Sequence, residues 1–248
     1  SSEPRRRPTN GPGPLAGVRV ADLGTFVAGP AMTAILADLG ADIVKIEPTT
    51  GDPCRGNIRA FCAANRGKRS ITVDLKQAEG LEIARRIIIG SDAVTNNFRP
   101  GVSARLALDP TQLHQLRPDL IVLESSAYGS SGPLSGLPGF DTVIQAYVGH
   151  EIKNGGRDLE PLCSRPLLVD WGTGMVGAAA LLIALFHRGR AGSGSAIETS
   201  LVNTGIHILS DLVQQSDGTF VGNEPIDYMR TGSGPLESLY QTADGWVA

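Results

Sequence analysis

The chain has 248 residues, 41% hydrophobic and 19% charged, with a formal net charge of −3. A globular chain of this size buries roughly 70% of its unfolded surface, and its mild acidity gives no electrostatic ground for nucleic-acid binding. Cys54, Cys62 and Cys163 are too few for a disulfide framework and lack paired metal spacing; with no run of ~18 apolar residues and no apolar signal core behind the N-terminal arginines, the expectation is a cytoplasmic protein without metal or membrane.

Residues 1–14 are polar, basic and rich in Pro and Gly, and read as a disordered tail or linker. From residue 15 strand and helix patterns alternate. Residues 18–23 predict a strand, and Gly29-Pro30 opens a small-residue helix to about residue 39. A second strand spans 42–46, then residues 51–68 read as a long loop without a period. A strand at 71–73, a helix at 77–89 and a short strand at 92–94 follow. Asn97-Phe98-Arg99-Pro100-Gly101 is a turn, and Asp109-Pro110 has the N-cap and first-position proline of a helix. The continuous apolar run at 120–123 predicts a strand covered on both faces, hence a parallel sheet.

Residues 128–139 are a loop of Gly, Ser and Pro. A helix is expected at 140–148, a polar stretch to 166, a strong helix at 171–188 with a buried apolar run, and a further helix at 198–215. Residues 239–247 look like a hairpin that has lost its second strand. The alternation predicts an α/β Rossmann-like parallel sheet flanked by helices over 15–217, and residues 218–248 read as a linker in which the pattern loosens.

The common catalytic signatures are missing. The first strand-to-helix turn, Gly24-Thr25-Phe26-Val27-Ala28-Gly29, lacks the middle glycine of a dinucleotide loop, and neither a P-loop nor a Gly-x-Ser-x-Gly elbow occurs. The four histidines are scattered. Asp170 stands out, after Leu167-Leu168-Val169 and before Trp171-Gly172-Thr173-Gly174. As an N-cap it would accept from the first free helix amides. As a carboxylate at a strand end it would be a nucleophile, kept ionised by those amides, with the glycines leaving room for a carbonyl and supplying N–H donors to an oxyanion. Spacing alone leaves both readings open.

Several blocks in register carry a resemblance. They are Pro14-Leu15-Ala16-Gly17-Val18-Arg19-Val20-Ala21-Asp22-Leu23, Ala28-Gly29-Pro30, the segment from Leu36 to Pro48, Asn65 to Ile71, Asp74-Leu75-Lys76, Asn97 to Gly101, Gly139-Phe140-Asp141, and Asp170 through Arg188 to Gly192. Together they resemble the class III coenzyme A transferases, which include formyl-CoA and carnitine-CoA transferases and are related to the α-methylacyl-CoA racemases. The resemblance implies an enzyme that moves CoA from an acyl-CoA thioester to a carboxylic acid through an acylated Asp170, with CoA as substrate and no tightly bound cofactor.

It further implies Asp141 as a second acidic group near the reacting acyl, which would otherwise be a helix N-cap. Lys45 and Arg105 correspond to cations near CoA, and would otherwise be surface charge. Asn97, Phe98 and Arg99 correspond to a turn at the nucleotide, and Gly232 and Gly234 to a glycine loop over the site, otherwise a linker. Val27 replaces a glutamine of formyl-CoA transferases, so formate is not the expected substrate. Phe140 replaces the histidine a racemase needs to move the α-proton. The alternatives are a racemase-like enzyme or a non-catalytic CoA-binding fragment. Family members resemble interlocked homodimers of longer chains, and this sequence stops where their small domain would begin.

Overall fold

The computed structural model describes residues 13–247 apart from Arg157, Leu212, 223–225, Tyr228, Arg230 and Pro235. Most of the expected N-terminal tail lies outside these residues. Six strands, β1 (Arg19–Asp22), β2 (Asp42–Glu47), β3 (Arg69–Thr72), β4 (Ala93–Asn96), β5 (Ile121–Ser126) and β6 (Ser195–Ser200), form one sheet in the order β3-β2-β1-β4-β5-β6. Every pairing in it is parallel. The expected α/β architecture is what forms.

Alternation along the strands builds two cores. Val20, Ile43, Ile121 and Leu123 face α1 (Ala28–Asp38) and α8 (Leu168–Ala191), meeting Met32, Leu36, Ala178 and Leu181. Ala21, Ile46, Val94 and Val122 point the other way, onto Ile88 of α3 (Ala78–Ile89) and Leu113 of α5 (Pro110–Leu116). Successive side chains on a strand point to opposite faces, so strands apolar at consecutive positions must be covered twice. Asp109 caps α5 as expected, accepting from the amides of Thr111 and Gln112.

Several local expectations are overturned. The loop at 51–68 holds a 3-10 turn at Pro53–Gly56, capped by Asp52, and α2 (Ile58–Asn65), capped by Asn57. The short α4 (Val102–Arg105) precedes α5, and α6 (Asp141–Tyr147) is followed by α7 (His150–Gly155) inside the segment read only as a polar stretch. The helix expected at 198–215 is instead β6 followed by α9 (Leu201–Ile208). Alternating Ala196-Ile197-Glu198-Thr199 favours a strand, and β6 completes the sheet against β5, pairing Ile121 with Ser195 through Ser126 with Ser200.

Gly194 permits this approach, because a Cβ there would lie 2.1 Å from the Leu120 carbonyl oxygen. Gly194→Ala is therefore expected to cost about 1–3 kcal/mol through a forced backbone shift, read as a lowered urea midpoint in equilibrium unfolding.

The C-terminal part is not a broken hairpin: β9 (Tyr240–Gln241) and β10 (Trp246–Val247) pair antiparallel. A second hairpin joins β7 (Val213–Gln214) to β8 (Phe220–Val221), so the expected boundary at 217 falls between its two strands. By length and composition α8 is apolar enough to cross a membrane. In this fold it packs as a layer helix, with Gly174 and Gly177 seated against Ala31 and Met32 of α1.

Candidate functional site

In this strand order the connections leave β1 and β4 in opposite directions, opening a crevice beyond their carboxyl ends. A cavity of about 550 Å³ lies there, lined by segments that follow β1 (Thr25–Ala28), β2 (Pro53, Cys54) and β4 (Asn97–Pro100), by the end of β5, and by Phe140, Asp141 and Asp170.

Buried charge holds the loop that follows β1. Asp22, the last residue of β1, accepts from the amide of Gly24 and the hydroxyl of Thr33, each at 2.8 Å, and pairs with Lys68 at 2.8 Å. Burial alone would raise the Asp22 pKa, but Lys68 and Lys45, with the hydrogen bonds from Lys68 and Thr33, hold it at about 2. Lys45, on β2, pairs with Asp52 at 2.9 Å and donates to the Gly24 carbonyl at 2.6 Å. The other Asp52 oxygen accepts from the amides of Phe26 (3.1 Å) and Cys54 (2.8 Å). Asn97 accepts from the Thr25 amide and donates to the Thr25 carbonyl. The loop after β1 is thus held at Gly24 by Lys45 of β2, at Phe26 by Asp52 beyond β2, and at Thr25 by Asn97 beyond β4.

Phe26 sits at φ +60° and Leu167 at φ +54°. Both line the cavity. A side chain in the left-handed region costs on the order of 1–3 kcal/mol and persists where surrounding contacts over-determine it; the bonds just described do so for Phe26. Leu167 immediately precedes α8, whose first turn carries Asp170.

Asp170 is not an N-cap, nor does it follow a strand. The helix begins two residues earlier, at Leu168, and the apolar run before Asp170 forms the cap and first helical residues. The Asp170 amide donates to Asp141 at 2.9 Å. Asp141, itself buried at the start of α6, accepts with its other oxygen from the side-chain amide of Gln145. Gln145 is fully buried and in turn accepts from the Ser164 amide at 2.8 Å.

Burial first, and the Asp141 charge second, push the Asp170 carboxyl up to about 7. The expectation that helix amides keep it readily ionised is therefore overturned: loss of water and a like charge outweigh the helix end. Gly172 and Gly174 admit Thr204 and Ala31 to close packing. The Cys54 thiol is pushed up by burial and then by the Asp52 charge, which favours the unreactive thiol form.

The model of the CoA-transferase family III matches residues 15–248. The chain belongs to CoA-transferase family III. It is 34% identical over 263 residues to a succinate–glutarate CoA-transferase of Agrobacterium fabrum, covering 98% of this chain and 63% of that relative. A probable fatty acyl-CoA transferase of Mycobacterium tuberculosis is 32% identical over 260 residues, with 97% and 66% covered. A solved CAIB/BAIF family protein from Brucella suis superposes with a TM-score of 0.85 at 31% identity, over 95% of this chain and 65% of that one. The chain thus spans less than two thirds of the length of each of these relatives.

Among the site residues expected from the resemblance to this family, Asp170, Asp141, Asn97, Phe98 and Arg99 all line the one cavity. Arg99 is exposed there, and Phe98 is packed in part against the second core. Arg105, on α4, is exposed and does not line the cavity. Lys45 is a correction. Its side chain is 2% exposed and locked to Asp52 and Gly24, so it braces a loop and presents no free cation to a phosphate. Gly232 and Gly234 line a separate shallow depression with Tyr240 and Trp246, and Gly232 is in a β-bridge with Ser238. They do not overhang Asp170 in this arrangement.

Sequence reasoning missed Phe26, Gln145 and the paired Asp22 and Lys68. A signal for Asp22 was present: a carboxylate closing an apolar strand must be paired if buried. Gln145 left none, being one amide on a short helix.

Proposed function

We propose that the complete protein is a CoA transferase that moves CoA from an acyl-CoA thioester to a carboxylic acid through covalent intermediates on Asp170. The observation that carries this reading is a partly buried carboxyl, displaced to about 7, on the wall of a cavity at the sheet's switch point. A desolvated carboxylate is a stronger nucleophile than a hydrated one, and a closed site protects an anhydride from water.

In this mechanism the ionised Asp170 oxygen attacks the thioester carbonyl. The C–S bond breaks, leaving a mixed anhydride and CoA thiolate. The thiolate attacks the Asp170 carbonyl and releases the donor carboxylate, giving an aspartyl-CoA thioester. The acceptor carboxylate attacks that thioester, and the freed thiolate then takes the acceptor acyl group, regenerating Asp170. Asp141 positions Asp170 by holding its amide, and Gln145 keeps Asp141 in place.

Residues 15–217 would supply the CoA-binding and catalytic part, with Arg99 and the Asn97 turn nearest the nucleotide. The complete protein is read as a cytoplasmic homodimer with CoA as substrate and no tightly held cofactor. The names of relatives that act on dicarboxylates and on fatty acyl groups support CoA transfer in general.

The test is a panel of acyl-CoA donors and carboxylic acids incubated with the full-length protein and followed by mass spectrometry. New acyl-CoA equal in amount to the donor consumed supports the proposal. Hydrolysis to free CoA alone, or α-proton exchange with deuterium and no transfer, would overturn it.

A further inference from the structure

Two large aromatic rings stand at the cavity that holds Asp170. Phe26 is 42% exposed and Phe140 is 54% exposed, and they meet edge to face with centroids 5.9 Å apart and planes at 80°. The pair has apolar neighbours on the lining in Val27, Pro53, Cys54 and Leu137. Phe140 directly precedes Asp141, whose carboxylate holds the Asp170 amide. The two rings therefore belong to the same corner of the fold as the proposed nucleophile.

Phe26 is kept in its left-handed conformation by a buried chain of contacts: its amide on Asp52, Asp52 on Lys45, and Lys45 on the Gly24 carbonyl. A strained bulky residue fixed by a buried ion pair and left unburied is a feature that folding alone does not call for. Among the described residues the charges on the cavity lining are Asp141, Asp170 and Arg99, so two acids face one cation. A second carboxylate on the acyl group would meet like charge, whereas an apolar body would cover the exposed rings. Edge-to-face aromatic contacts add to the gain from the area they bury.

We propose that Phe26 and Phe140 form the seat of the acyl group and select thioesters whose acyl body is apolar, aryl above all, with Lys45 and Asp52 as positioning residues for Phe26. This rests on the reading that Asp170 is acylated. The test compares phenylacetyl-CoA with succinyl-CoA as donors to the full-length protein, with hydroxylamine present to trap the acylated carboxyl, and follows CoA release. The expected result is kcat/KM at least tenfold higher for phenylacetyl-CoA.

Phe140→Ala should narrow that preference at least fivefold. So should Phe26→Gly, which removes the ring and relieves the backbone, and which should keep or raise Tm. If neither thioester releases CoA, the transfer reading itself fails. If succinyl-CoA reacts as fast as phenylacetyl-CoA or faster, or if both variants slow the two donors equally, the aromatic seat is overturned while the transfer reading stands.

Discussion

Asp170→Asn is expected to abolish acyl transfer and, at the same time, to raise the stability of the fold at neutral pH. Asp170 titrates from an ordinary 3.8 up to about 7, by burial and by the charge of Asp141. The folded state therefore binds more protons than the unfolded chain between about pH 4 and 7, and stability falls as pH rises through that window. Three pH units at about 1.4 kcal/mol each set the upper scale, and solvent at a partly exposed carboxyl damps it to about 1–3 kcal/mol at pH 7. Asparagine has no proton to lose, so urea unfolding of the variant should show a gain at pH 7 that vanishes near pH 4. A helix-capping aspartate predicts the opposite sign. An unchanged or lower midpoint at pH 7 would refute the conflict between Asp141 and Asp170.

Lys68→Met should be the most damaging single change considered. It strips Asp22 of its 2.8 Å partner while leaving the carboxylate buried, and also removes bonds to the Pro30 carbonyl and Asn65. Breaking one half of a buried pair costs about 3–5 kcal/mol, chiefly because the remaining charge is stranded. The double variant Asp22→Asn with Lys68→Met should recover at least half of that loss in a double-mutant cycle. The pH arm runs opposite to that of Asp170. Asp22 is held down at about 2, so the stability it contributes is complete above about pH 4 and is lost as pH falls toward 2. A double variant as unstable as Lys68→Met alone would show that packing, and not the stranded charge, sets the cost.

Much of the sheet was legible because its strands are apolar at consecutive positions. Residues 120–123 could be read as a doubly covered strand before any coordinates, and β5 indeed lies between both cores. The helix/strand error at β6 has a physical origin: Ser195–Ser200 is short and polar, and becomes a strand by pairing with β5 over a glycine that admits it. Asp170 and Asp141 were legible by resemblance and not by spacing, since 28 residues separate them in the chain and a single amide–carboxylate bond joins them in space. Lys45 was misassigned for a reason sequence cannot remove. A lysine in a strand reads as surface charge until Asp52, seven residues on, is seen folded back over it. Phe26 could not be singled out because its left-handed backbone belongs to the tertiary contacts of Asp52 and Asn97, and local preference for a phenylalanine argues against that conformation.

The central claim is that Asp170 becomes covalently acylated. The most direct measurement is peptide mapping by tandem mass spectrometry of the full-length protein, quenched during turnover with an acyl-CoA and with hydroxylamine present. The account predicts that the peptide containing Asp170 carries an acyl, CoA or hydroxamate adduct on that residue, absent from Asp170→Asn. An unmodified Asp170 in a protein that transfers CoA, together with an active Asp170→Ser variant, would contradict it.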